Sequence, residues 1–364
     1  MVECSHFSLF DSSTTKFYFL VSSGWAFKNE LIYLASMENG KSTVLITGVA
    51  GFIGSNLANQ LLKQGYKVVG VDNFSYGLKS NMSDFFNNPS FTFFECDVAV
   101  QGSLKDINAE ILVHLASYKI PRYSTAFPTL EFNDLMLKNV TKTCLTKNMK
   151  LVYASTSDVY GKNTNVPFHE KCDFVLGPST VKRWSYACSK IFGEQYIIAN
   201  SDEFGLNFTI VRFFGSYGPN QNLTWWGGPQ SGFITQALKK EPIEIHGDGK
   251  QTRTFTYIDD TVNALIRCIC NKAADKEIFN IGTEPDAEIS ILDLADLIWK
   301  IINPGDDVPL LNFIPYSTFG NYEDVMRRVP DISKIKTVLG YHPKYDLQTG
   351  LELTINWQRK IQNL

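Results

Sequence analysis

The chain has 364 residues, 44% hydrophobic and 20% charged, with a formal net charge of −3. That length buries a sizeable core, enough for one large domain or two unequal ones. The charge offers no bulk basic field for nucleic acid, and no run of about 18 apolar residues is present to span a membrane.

Seven cysteines are scattered along the chain. No CxxC pairs with a second CxxC or with a His pair, so no metal site is expected. Reduced thiols in a cytoplasmic protein are the simplest reading. Cys268 and Cys270 fall two apart on an expected helix and face different sides. Residues 1–41 read as an N-terminal extension dispensable for the fold. They hold a short apolar stretch, Phe17 to Val21, without a basic segment before it, and Met37 stands just ahead of the first strand.

Thr43–Thr47 is a short β-branched run and predicts a buried strand. A helix is expected over 53–64, stopped by Gly65. Strands are expected at 67–71, ending at Asp72, then at 91–95 and 111–115. A helix near 129–147 leads to a strand at 151–154. A long helix over 186–200 and a strand at 207–212 follow. Strand and helix alternate, which argues for a parallel α/β sheet. After Gly218-Pro219 the pattern loosens into short strands and helices, such as a helix over 289–302. Residues 42–218 read as a nucleotide-binding domain and 219–364 mainly as a smaller α/β substrate-binding lobe, with some strands free to return to the first domain.

Two motifs carry chemistry. The first is Thr47-Gly48-Val49-Ala50-Gly51-Phe52-Ile53-Gly54, between a strand and a helix. Gly48 permits the tight turn, Gly51 the close approach of a pyrophosphate, and Gly54 the helix packing. The helix start at Phe52 and Ile53 then faces the phosphates. Asp72, beside Asn73, is placed to accept from ribose hydroxyls and to repel a 2′-phosphate, which favours NAD. Asp97, beside Val98, either receives the adenine amino group or caps a loop. Leu115, Ala116 and Ser117 end the strand where the cofactor should cross the sheet edge.

The second motif is Tyr186-Ala187-Cys188-Ser189-Lys190. Four residues apart, Tyr186 and Lys190 share a helical face. A neighbouring ammonium and a positive nicotinamide favour phenolate, so Tyr186 can take a hydroxyl proton as hydride leaves the same carbon. Thr156, in Ser155-Thr156-Ser157-Asp158-Val159-Tyr160-Gly161, is positioned to bond the reacting oxygen.

With Arg212-Phe213-Phe214-Gly215-Ser216-Tyr217-Gly218-Pro219 and the Gly247 to Asp260 segment, these motifs make a specific set. Over residues 42–360 the chain resembles the extended short-chain dehydrogenase/reductases that act on nucleotide-diphosphate sugars as epimerases, dehydratases and decarboxylases. The resemblance implies a Rossmann-type doubly wound parallel sheet and a tightly held NAD. It also implies oxidation of a sugar at C4 with later return of the hydride, and a homodimer through a helical bundle.

Which reaction follows turns on residue 158. A 4-epimerase needs no further acid or base, whereas dehydratases and decarboxylases act at C5 beside a C4 ketone. Dehydratases of the group show Thr-Asp-Glu and UDP-glucuronate decarboxylases resemble Thr-Ser-Glu. Thr156-Ser157-Asp158 is nearest the second, one methylene shorter. Asp158 either serves C5 or shapes the loop. Asp324-Val325-Met326-Arg327-Arg328-Val329-Pro330-Asp331 also resembles the decarboxylase branch, where the Arg at the place of Arg328 acts at C5. Arg327 or Arg328 otherwise clamps a diphosphate. Arg253 lies in a segment that contacts the diphosphate in such enzymes. Lys119 and Arg122 either reach a sugar carboxylate or phosphate or are solvated. Gly215 replaces a frequent Asn, and Asn220 stands where decarboxylases often carry Arg. Trp225-Trp226 either closes over the ligand or packs between lobes. The expectation is an NAD enzyme for a nucleotide-diphosphate sugar, leaning to UDP-glucuronate decarboxylation, with 4-epimerisation or dehydration as alternatives. A non-catalytic NAD-binding regulator is the rival from another class.

Overall fold

The computed structural model describes residues 41–119, 125–224, 227–305, 308–320 and 322–363. The N-terminal extension (apart from residue 41), Arg122, Trp225 and Trp226 lie outside the described residues.

Strand β1 (Thr43–Thr47) leads into helix α1 (Phe52–Lys63), and β2 (Lys67–Asp72) and β3 (Phe91–Glu95) follow. Then come β4 (Ile111–His114), α2 (Phe127–Lys147), β5 (Lys150–Thr156), α3 (Trp184–Phe204) and β6 (Phe208–Phe213). The second half holds β7 (Ser216–Tyr217), α4 (Pro229–Leu238), β8 (Ile243–His246), β9 (Thr252–Arg253), β10 (Thr256–Tyr257) and α5 (Ile258–Cys270). It continues with β11 (Glu277–Ile281), β12 (Ile289–Ser290), α6 (Ile291–Ile302), β13 (Leu311–Ile314), β14 (Arg327–Arg328), α7 (Ser333–Leu339) and α8 (Leu347–Gln362).

Seven strands form one parallel sheet in the order β11-β6-β5-β4-β1-β2-β3. The order reverses between β1 and β4, so a crevice opens at their carboxyl ends. Both faces are covered: Val44 and Ile46 of β1 belong to one apolar cluster and Leu45 to the other. This is why β1 reads as a continuous apolar run instead of an alternating one. From the second half, β11 joins the edge of the main sheet and α5 packs on α1.

Several boundaries move for local reasons. Helix α2 begins at Phe127 because Pro128 is tolerated in a first helical turn. Helix α6 begins at Ile291, not 289, because Ile289 and Ser290 pair with Arg253 and Thr252. The Ser290 hydroxyl then accepts from the Asp293 N–H (3.0 Å) and caps the helix. Strand β5 runs on to Thr156 with every residue buried, which delivers Thr156 to the strand's carboxyl end. Among the described residues, no helix is long and apolar enough to cross a membrane, and no group of His, Cys, Asp and Glu is arranged for a metal.

Candidate active site

A cavity of about 460 Å³ lies at the carboxyl ends of the central strands. The expected cofactor residues Gly48, Gly51, Phe52, Ile53, Gly54, Asp72, Asn73, Asp97, Val98, Leu115, Ala116 and Ser117 all line it. Gly48 adopts φ +77°, and a Cβ there would stand 2.8 Å from the Ala116 nitrogen. A Cβ on Gly54 would stand 2.1 Å from the Gly48 carbonyl oxygen, so α1 can approach β1 only with glycine here. Among the described residues, no side chain caps α1. Its first N–H groups are therefore left for an anion.

Asp72 does more than the sequence suggested. Its Oδ2 accepts from the Ala50 N–H and its Oδ1 from the Phe74 N–H, both at 2.9 Å, tying the glycine turn to the end of β2. Burial pushes its carboxyl above the ordinary value, and these backbone bonds oppose the rise. Asp97 accepts from the Ala99 N–H (2.8 Å), the loop-capping geometry, while still facing the cavity. An uncapped helix start, a backbone turn without side chains and a carboxylate at the end of β2 together fit NAD.

Tyr186, Lys190, Thr156, Ser157, Asp158, Gly215, Lys119 and Arg328 line the same cavity. Thr156 and Ser117 lie beside the Tyr186 phenol at the cavity wall. The Lys190 Nζ donates to the Ala154 carbonyl (2.8 Å) and lies 5.9 Å from the Tyr186 ring centroid. Burial pulls Lys190 down to about 7, with Glu194 opposing. Burial, and then the Asp158 charge, push the Tyr186 phenol above its ordinary value. Thr156, Ser117 and the Arg328 charge oppose that rise. The buried Ser157 hydroxyl has no hydrogen-bond partner among the described residues.

The unexpected feature is a buried ionic cluster behind Asp158. Its Oδ1 meets the Nη2 of Arg183 at 3.0 Å and its Oδ2 meets the Nη1 of Arg328 at 3.3 Å. Arg253 pairs with Asp324 at 3.2 Å, and Arg183 lies 3.9 Å from Asp324. Burial alone would raise the Asp158 carboxyl, yet Arg328 and then Arg183 hold it below the ordinary carboxylate range. Burial, followed by the Arg328 charge, pulls Arg253 down to about 10. Three guanidiniums thus face two carboxylates. The Arg183 Nε and Nη1 and the Arg328 Nε find no partner among the described residues. Sequence reading missed Arg183, which is only 1% exposed. Its one signal was its place three residues before Tyr186, at the start of α3.

Other expected residues are not brought to the cavity. Arg327 is 55% exposed and turned to Glu288, with contacts of 2.8 and 2.6 Å. Arg253 stands behind Arg328, its Nη1 donating to the Thr252 carbonyl (2.7 Å). Neither is placed as a clamp inside the cavity. Gly215 adopts φ +44°, and a Cβ there would lie 2.3 Å from the Thr254 carbonyl oxygen. A side chain at this position would meet that carbonyl. Asn220 donates to the Ser55 hydroxyl (3.1 Å) and so ties its loop to α1.

Residues 44–282 match the NAD dependent epimerase/dehydratase family. A UDP-N-acetyl-alpha-D-glucosaminuronate decarboxylase of Bacillus cytotoxicus is 34% identical over 327 residues, covering 89% of this chain and 99% of its own. A UDP-D-apiose/UDP-D-xylose synthase of Oryza sativa is 31% identical over 358 residues, covering 87% and 89%. Among solved structures, the UDP-glucuronic acid 4-epimerase of Bacillus cereus superposes with a TM-score of 0.76 at 29% identity, covering 88% and 99%. The chain therefore belongs to the NAD dependent epimerase/dehydratase family.

Proposed function

We propose that this enzyme oxidises a UDP-hexuronate at C4 and releases its C6 carboxylate as carbon dioxide. The observation that carries the reading is the excess of guanidinium over carboxylate around Arg328, at the wall of the cavity. A buried site with one unbalanced positive charge favours an anionic sugar over a neutral one. The relatives named as decarboxylases of such sugars support it.

NAD held by the glycine turn, Asp72 and the end of β4 would supply a hydride acceptor and donor for C4 and a positive charge that favours phenolate. Tyr186 takes the C4 hydroxyl proton, with Thr156 and Ser117 holding its phenol in place. The ketone at C4 then lies β to the carboxylate. The C5–C6 bond breaks, its electron pair passes toward the ketone, and carbon dioxide leaves. C5 then takes up one proton from solvent in place of the lost carboxylate. Asp158, held ionised by two arginines, is a poor proton donor. It acts instead as the anchor that aims Arg328 at the sugar carboxylate, and Ser157 donates to the same sugar.

The second reading is 4-epimerisation of the same anionic sugar. It is favoured by the absence of a free acid at residue 158 and by the resemblance to the Bacillus cereus epimerase. Mass spectrometry of the product from UDP-glucuronate separates the two, since only decarboxylation changes the mass.

A homodimer through α2 and α3 is part of the same reading. Their outer faces expose Phe127, Leu130, Phe192 and Phe204, beside a groove lined by Leu135 and Tyr196. We place the enzyme in the cytoplasm on the scattered cysteines of its sequence.

A further inference from the structure

One helical turn beyond Lys190, on the same face of α3, Glu194 is buried. Its Oε1 accepts from the Ser155 hydroxyl (2.5 Å) and from the Arg212 Nε (2.9 Å). Its Oε2 accepts from the Arg212 Nη2 (2.6 Å). Lys190 docks on the Ala154 carbonyl, so two side chains of α3 seat on two consecutive residues of β5. The next residue is Thr156. Arg212 is fixed in turn by the Tyr160 hydroxyl and the Glu170 carbonyl, both at 2.9 Å. Tyr160 donates to Asn280 on β11 (2.8 Å). A polar chain thus runs from β11 through β6 to Glu194 and Ser155, one helical turn from Lys190 and one residue from its Ala154 anchor, and the proton chemistry described above does not use it.

The groups facing Lys190 come from three elements. From α3 these are Tyr186 and Glu194. From β5 comes the Tyr153 ring, 4.9 Å from Nζ. From β4 comes His114, which bonds to the Thr47 hydroxyl (2.7 Å). His114 adds no positive charge at neutral pH, because burial and then Lys190 pull it down to about 3. Glu194 is the carboxylate that acts on Lys190. A bidentate guanidinium and a hydroxyl keep it in one geometry.

We propose that Glu194 is a positioning residue of the proton-handling pair, acting through Lys190 by seating and charge-balancing its ammonium beside Tyr186, and that Arg212 and Ser155 serve to hold Glu194 there. The inference rests on the assignment of Tyr186 and Lys190 as that pair. Removing the carboxylate takes away the negative charge that opposes the effect of burial on the Lys190 ammonium, so its proton is lost at lower pH whether or not Arg212 remains.

The test uses the full chain in two measurements. The first is the pH dependence of Lys190 labelling by an amine-selective acylating reagent, read by mass spectrometry without substrate. The second is the pH profile of kcat with NAD and UDP-glucuronate. For Glu194→Gln, the labelling midpoint and the alkaline limb of kcat should fall together by about one pH unit or more. Glu194→Asp should restore part of the shift. Glu194→Gln combined with Arg212→Met removes the stranded charge and covers failure of the single variant to fold. In it the midpoint should stay below wild type even where the melting temperature recovers. A wild-type labelling midpoint in the folded variants overturns the proposal, whatever the reaction proves to be. So does a rate loss that is uniform across pH and recovers with the melting temperature. Full activity of Tyr186→Phe would instead sink the assignment of the pair, which the labelling result does not depend on.

Discussion

Replacing Asp158 with Asn tests the claim that this residue is an anchor and not a proton carrier. The substitution keeps the shape and deletes the charge that meets Arg183 at 3.0 Å and Arg328 at 3.3 Å. Arg183 is almost wholly buried and already has two donors without partners. Stranding it costs about 3 kcal/mol, the lower end for a broken buried pair, because Arg328 still reaches solvent. For a chain of this size, at about 2.1 cal/mol/K of unfolding entropy per residue, that is a fall in Tm of roughly 4 °C. The pH dependence has a definite sign. The Asp158 carboxyl is held below its ordinary value, so its stabilisation is present above the unfolded-state pKa of about 3.9 and is lost as pH falls through the lower folded value. The Tm gap between wild type and Asp158→Asn should be full at pH 7 and close below about pH 4. Melting curves by circular dichroism across that range check it, alongside carbon dioxide release, which should fall at least about tenfold as Arg328 loses its aim. A variant melting within a degree of wild type at pH 7, with undiminished carbon dioxide release, would refute the anchoring argument.

Tyr186→Phe should lower kcat by about 10²–10⁴-fold while leaving NAD binding intact, measured by turnover and by quenching of intrinsic fluorescence. Near-normal turnover would remove Tyr186 from the proton step. Gly215→Asn would place a side chain in this crowded turn. At φ +44°, with the Thr254 carbonyl where a Cβ must go, it should cost about 1–3 kcal/mol in thermal melts, and an unchanged melt would show the loop more yielding than it looks. Phe192→Glu on the outer face of α3 should convert a dimer to a monomer in light scattering; a wild-type protein that is already monomeric contradicts the proposed interface.

The site was legible where its chemistry is local. Gly48 to Gly54 and Tyr186 with Lys190 lie within single turns, and strand or helix periodicity places each of them. The ionic cluster was not, because Asp158, Arg183, Arg253, Asp324 and Arg328 meet only through tertiary packing. The two-residue strands β9 and β14, which carry Arg253 and Arg328 side by side, are too short to show any period. Arg183 follows Lys182 directly and reads as half of an ordinary solvated basic pair, since nothing local announces burial. Arg327 and Arg328 are indistinguishable as letters. Strand alternation turns one to solvent and Glu288, the other to Asp158.

The most direct measurement is incubation of the purified protein with NAD and either UDP-glucuronate or UDP-N-acetylglucosaminuronate, with the products weighed by mass spectrometry. The account predicts a UDP-sugar lighter by one carbon dioxide, carrying one solvent deuteron at C5 when the reaction is run in heavy water. A product of unchanged mass that keeps its carboxylate and takes up no deuterium would contradict it and leave hydride transfer at C4 as the whole reaction.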